Sequence, residues 1–222
     1  MRFSKWHALG NSYLLVERAE LGRPLNSERA RLLCDVRYGI GSDGLLEIVS
    51  DEEARAEVAI SVSGREYRAR SRGAEIEMEV GPVEVRETET IDLDEERIEL
   101  TRVSVGNPHA VVRLDADRQE LLRLGPLLER HERFVNGTNV QLVTIDGVHD
   151  ATALVWERGA GETSASGSSA VAVAAAATAN GWCESPVTVH MPGGDLRVEI
   201  DDENRATLIG PAQPICTGET AA

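Results

Sequence analysis

Four short blocks of this 222-residue sequence carry residue types able to hold a small polar ligand. The richest runs from Trp156-Glu157-Arg158 through Gly159, Gly161 and Gly167 to Ser168. Its glycines let backbone approach a ligand closely. It leads into residues 167–180, GSSAVAVAAAATAN, which have almost no polar side chains after Ser169. The start of such a helix offers unpaired N–H groups and the positive end of its dipole, the chemistry that holds a carboxylate or phosphate. The plainer alternative is a glycine-rich loop with Ser166 as a simple N-cap. The second block is Val105-Gly106-Asn107-Pro108-His109, where Asn107 and His109 follow a strand and suit a polar ligand. A turn residue beside a satisfied histidine is the plainer account of this block taken alone. The third is Gly10-Asn11, and the fourth is Asn139 after Gly137-Thr138.

Many short strands and few helices must position these blocks. Residues 3–16 read as two strands joined at Gly10-Asn11, and 26–36 as a helix capped at Asn26 or Ser27 with Leu32, Leu33 and Val36 on one face. Gly39 to Gly44 form a glycine-rich turn into a strand over 45–49, followed by a charged connection over 51–57. Period-two alternation marks strands at 58–62, 76–80, 83–85 and 98–105. The acidic stretch Glu84 to Glu99 is the expected lobe boundary. A helix over 121–130 is interrupted by Gly125-Pro126, and further strands fall at 140–145, 151–156, 187–191, 196–200 and 206–209. The helix over 167–180 is apolar all round, so strands must wrap it on every side, and Gly181 stops it. The first half contains no comparable helix. The expected organisation is a reduced lobe over 1–85, to which 210–222 returns, and a full lobe over 95–209.

Composition removes several function classes. There are 38 acidic and 23 basic residues, a net charge of −15. That charge repels nucleic acid, and no basic stripe offsets it. A GC-rich coding sequence is the plainer account of 22 of the 23 basic residues being arginine, and adaptation to high salt, which an acidic surface suits, is the alternative. No apolar run reaches the ~20 residues needed to span a bilayer, and residues 1–20 lack a signal-peptide pattern, so the expected compartment is the cytoplasm. Cys34, Cys183 and Cys216 form neither a disulfide framework nor, with histidine, a zinc pattern, so no metal is expected.

Together, MRFSKWHALGNSYLLVE, RYGIGSDGLLEI, VSVGNPHAVV, GTNVQLVTI, WERGAGETSASGSSAVAVAAAA and VTVHMPGGDLRVEI resemble, in order and approximate spacing, the diaminopimelate epimerase family. The resemblance covers most of the chain, and its ERGAGET block is highly specific. It implies an α+β fold of two pseudo-symmetric lobes, each a β-sheet wrapped around a central helix. It also implies a cofactor-independent amino-acid isomerase of lysine biosynthesis, converting LL- to meso-diaminopimelate. In that mechanism one cysteine takes the α-proton as thiolate, and a second returns a proton to the opposite face. By the resemblance, Asn11, Asn107, Asn139, Glu157 and Arg158 contact the substrate. Gly167 and Ser168 offer N–H groups to its α-carboxylate, and His109 and Gly44 lie beside the pocket.

This sequence departs from the family in three places. Ser166 stands where the second family cysteine stands, and the sequence identifies no base beside it. The segment bearing the first cysteine, with the central helix of the first lobe, is missing, so the first base is absent. Gly44 stands where the family usually has glutamine. The expected function is therefore a diaminopimelate epimerase-like protein of impaired or altered catalysis. A non-catalytic ligand-binding or regulatory homologue and a diverged one-base isomerase or lyase remain as alternatives. The sheet face left by the missing helix makes a homodimer plausible.

Overall fold

The computed structural model describes residues 1–52, 57–62, 65–73, 75–93 and 96–221. The chain forms two compact units, Met1–Glu79 with Gly210–Ala222, and Val80–Ile209.

In the first unit, β1 (Arg2–Ala8) and β2 (Asn11–Glu17) pair as a hairpin. Its turn is Leu9-Gly10, where φ is positive at both residues. Helix α1 (Ser27–Cys34) crosses to β3 (Gly44–Glu52), which runs parallel to β2. A parallel pair needs such a crossover because the chain must return to the starting edge. Asn26 caps α1, its side chain accepting from the Arg29 N–H at 2.8 Å. Only Leu33 of the expected apolar face is buried. Leu32 is 49% exposed and Val36, beyond the helix end, 83% exposed. Strands β4 (Glu57–Val62), β5 (Arg65–Arg72) and β6 (Glu75–Pro82) follow as antiparallel neighbours. Strand thus replaces the ends of the charged connection expected over 51–57, and residues 53–56 lie outside the described residues.

The second unit opens with β7 (Glu84–Leu93) and β8 (Glu96–Ser104), an antiparallel pair. The acidic stretch expected to be a boundary is therefore sheet. Ile91, Leu93 and Leu100 face the core, while Glu89 pairs with Arg102 and Arg133. The division between units falls earlier, after Glu79. Next come β9 (Pro108–Arg113), α2 (Arg118–Glu129) and β10 (Asn139–Ile145), with β9 and β10 parallel. Strand β11 (Asp150–Glu157) returns antiparallel, and the short β12 (Gly161–Thr163) folds back on it. Helix α3 (Gly167–Ala179) crosses to β13 (Val187–Met191), parallel to β11, and β14 (Gly194–Ile200) and β15 (Arg205–Pro211) follow. The last strand, β16 (Gln213–Glu219), pairs with β1 in the first unit.

Helix α3 is buried from Ser169 to Ala177, with strands β7 to β11, β13 and β14 around it. Alanine and valine let those strands approach, and burying Val171 and Val173 contributes ~1.5 kcal/mol or more each. Helix α2 covers another part of the sheet, packing Leu121, Leu124 and Leu128 on Val140 and Leu142. Among the described residues, no helix is long and apolar enough to cross a membrane.

The two units share a pairing scheme up to one point. The second runs β7-β8-β9-β10-β11-β13-β14-β15, and the first β16-β1-β2-β3-β4-β5-β6. In each, two antiparallel pairings are followed by a parallel one made across a helix, then by an antiparallel one. The second unit then crosses from β11 through α3 to a parallel strand. The first turns from β4 straight into antiparallel β5, with only residues 63–64 between them. Two residues reach ~7 Å, too short to return along a strand to its start. A helix and its following strand are thus missing together, which preserves the antiparallel alternation of the remaining strands.

Candidate ligand site at the start of the central helix

Strand β11 ends at Trp156 and Glu157, and the chain then turns tightly before α3. Gly159 and Gly161 have φ of 79° and 84°, a backbone that suits glycine. The turn brings Glu157 back against the start of α3. Ser166, 5% exposed, is the residue before the helix, but its side chain makes no cap hydrogen bond. Its hydroxyl instead donates to Glu157 Oε1 at 2.7 Å. The structure thus sets a carboxylate beside Ser166, where the sequence alone identified no base, and it is the Glu157 carboxylate that the resemblance assigns to the substrate.

The first hydrogen bond of α3 runs from Ala170 N to Ser166 O at 2.9 Å. The N–H groups of Gly167 and Ser168 therefore face out of the helix end, where an anion is favoured. A Cβ at Gly167 would meet the Leu208 side chain at 3.0 Å, so packing also favours glycine there.

Parallel pairing of β9 and β10 sets Asn139 opposite His109. Asn139 Oδ1 accepts from the Arg158 N–H at 2.9 Å, and its Nδ2 donates to Pro108 O at 3.1 Å. Its carboxamide thus ties the second, fourth and first blocks to one another. Arg158 donates through Nη1 to Asn136 O at 3.1 Å. Asn107 Oδ1 lies 3.1 Å from His109 Nε2. His109 is 1% exposed, and burial lowers its pKa to about 4, so it is neutral at pH 7.

Asn107, His109, Asn139, Glu157, Arg158, Ser166, Gly167 and Ser168 all belong to the second unit. Asn11 and Gly44 belong to the first, where Asn11 opens β2 opposite Ala8 and Gly44 opens β3 opposite Tyr13. Sequence reasoning missed two members of the site. Glu129 at the end of α2 accepts from Trp156 Nε1 at 2.7 Å and from the Gly159 N–H at 3.0 Å, anchoring the turn. These bonds, the Trp156 one first, hold its carboxyl below the usual range. Gln141 is fully buried, two residues after Asn139 on β10. A lone amide inside the apolar run VQLV, on the face of Asn139, was a readable signal.

None of the three thiols joins this group within the second unit. Cys183 follows the far end of α3, ~20 Å along the helix from its start, and burial raises its pKa. Cys34 ends α1, half-buried and also raised by burial, and Cys216 lies exposed on β16. Among the described residues, no three His, Cys, Asp or Glu side chains form a metal-binding cluster.

A family model described as diaminopimelate epimerase matches residues 101–215. A diaminopimelate epimerase from Desulfitobacterium hafniense is 31% identical, over 98% of this chain and 97% of its own length. A protein named diaminopimelate epimerase 2 from Nostoc is 32% identical, over 99% and 95%. The first alignment spans 277 positions against 222 residues here, a shortfall of at least 55 that lies inside the chain because nearly all of both proteins is covered. Among solved structures, a hydroxyproline epimerase from Agrobacterium vitis superposes with TM-score 0.73 at 12% identity, covering 98% of this chain and 91% of that one. A methylitaconate-delta-isomerase gives TM-score 0.62 at 13% identity, covering 98% and 95%. These two likenesses establish the α+β epimerase-like fold. The family model and the relatives aligned over nearly the whole chain show that it belongs to the diaminopimelate epimerase family.

Proposed function

We propose that this protein binds an amino acid through its α-carboxylate at the start of α3 and does not epimerise it by the two-thiol route. The observation that carries this reading is the Ser166 hydroxyl, bonded to Glu157 at 2.7 Å, in the position of a family cysteine. Inverting an α-carbon needs one group to take the proton and another to return one to the opposite face. A serine hydroxyl is far less acidic than a thiol of pKa near ~8.5, so it does not ionise under the conditions that make a thiolate. The opposite group in the family precedes a first-lobe helix, and here β4 turns directly into β5 at that stage of the fold. The ligand would be held by the N–H groups of Gly167 and Ser168, the Asn107 carboxamide and Arg158.

Titration calorimetry with meso-diaminopimelate tests the binding. Saturable binding is expected, weakened about tenfold or more in Ser168→Pro, which deletes one N–H where a helix tolerates proline. An assay of LL- to meso-diaminopimelate conversion is expected to stay at background. Absence of binding, or conversion by the wild-type protein, overturns the proposal.

A second reading rests on the same hydrogen bond. Ser166 Oγ would take the α-proton as its own proton passes to Glu157 Oε1, and the reverse transfer would return it to the same face. That one-sided exchange would retain configuration, so α-deuteration without conversion distinguishes it.

A further inference from the structure

Gln141 occupies the junction of the elements that face the candidate ligand. Its Nε2 lies 3.0 Å from His109 Nδ1 on β9 and donates to Ser169 Oγ, in the first turn of α3, at 2.9 Å. All three residues are buried, with exposures of 0%, 1% and 0%. Gln141 Oε1 has no partner among the described residues. Turning the amide over would give that oxygen two contacts but would leave both N–H groups buried without a partner among the described residues. A buried orphan donor is the rarer and costlier arrangement. The amide nitrogen therefore faces both partners, one hydrogen for each.

The rest of the chain of bonds follows. His109 Nδ1 must accept from Gln141, so the neutral ring carries its single hydrogen on Nε2. That hydrogen points at Asn107 Oδ1, 3.1 Å away. With its oxygen occupied, Asn107 has its NH2 left to offer.

We propose that Gln141 is a positioning residue: through the buried His109 ring it fixes Asn107 as a hydrogen-bond donor to the ligand, matching a carboxylate, and through Ser169 it holds the start of α3 in register with it. The ligand half of this inference rests on the binding reading above, and the tautomer half does not. The donors offered to the anion would then be the Asn107 NH2 and the N–H groups of Gly167 and Ser168. An amino-acid amide, whose NH2 group would face those donors, is excluded by the same arrangement.

Nitrogen-15 NMR of the ligand-free wild-type protein at pH 7 reads the tautomer directly. His109 is expected as the Nε2–H form alone. Gln141→Leu should give a mixture of tautomers, whereas Ser169→Ala, which breaks the other arm of the same amide, should leave the ring unchanged. Gln141→Asn, one methylene shorter, serves if the leucine variant does not fold. Calorimetry with meso-diaminopimelate should show about tenfold weaker binding in the Gln141 variant, and no detectable binding of its α-amide by wild type. A wild-type Nδ1–H ring, or a ring indifferent to Gln141, overturns the proposal. If meso-diaminopimelate fails to bind the wild type while the tautomer is as stated, the binding reading fails and the assignment of Gln141 to His109 and Asn107 stands.

Discussion

A carboxylate beside a hydroxyl behaves differently from a carboxylate beside a thiol. If Ser166 became cysteine, the α3 dipole would favour a thiolate while the Glu157 charge opposed it. A reactive group would then exist on one face only. Ser166→Cys is accordingly expected to leave LL- to meso-diaminopimelate conversion at background, and robust turnover would reveal an opposite base. His109 makes a second prediction at this scale. Its folded pKa, about 4, lies below the unfolded value near 6.5. Its neutral burial therefore contributes stability fully present above pH ~6.5, which is lost as pH falls toward 4, by ~3 kcal/mol for the whole shift. His109→Asn should flatten the slope of urea-unfolding stability between pH 6.5 and 5, and an unchanged slope would refute the burial argument.

Helix α2 is fitted to the turn it supports. A Cβ at Gly125 would lie 2.7 Å from Trp156, and that indole is anchored through Nε1 to Glu129. Alanine gains ~1 kcal/mol of helix propensity over glycine, but an overpacked core loses ~1–3 kcal/mol. Because the ring cannot move without breaking a hydrogen bond, the clash should win. Gly125→Ala is expected to lower the urea midpoint, and a stabilised variant would show that the ring yields. The elements differ in how far the sequence reveals them. Helix α3 was legible because thirteen small residues without a polar face have one home, the middle of a sheet. Most of strand β7 was misread because acidic side chains on the outward positions mask the inward ones, Ile91 and Leu93. The site was legible as four blocks but not as a network. The bond from Ser166 to Glu157 depends on a turn that closes nine residues of chain, and the link from Gln141 to His109 joins residues 32 apart. Neither distance is written in local pattern.

The molecule is one family fold with a full unit and a reduced one. Among the described residues, the full unit buries all of Ser169–Ala177 and the Leu121, Leu124, Leu128 cluster, while the reduced unit has Leu14, Val16, Leu21, Leu33 and Ala69 in its core. Stability should follow that difference. In hydrogen–deuterium exchange, amides of β10, β11 and β13 should exchange last and those of β1 to β3 much earlier. Equal protection would mean that the loss of a helix and strand has been compensated. In the proposed reading, the same loss, of at least 55 positions against a relative aligned over 97% of its length, removes one of the two thiols that the resemblance implies. The most direct test is the fate of the α-proton. The protein is incubated in D₂O with LL- and then meso-diaminopimelate, and the α-carbon is followed by proton NMR. The expectation is that the α-proton signal stays and configuration is unchanged while calorimetry shows the ligand bound. Deuterium incorporation with interconversion of the two isomers would contradict it.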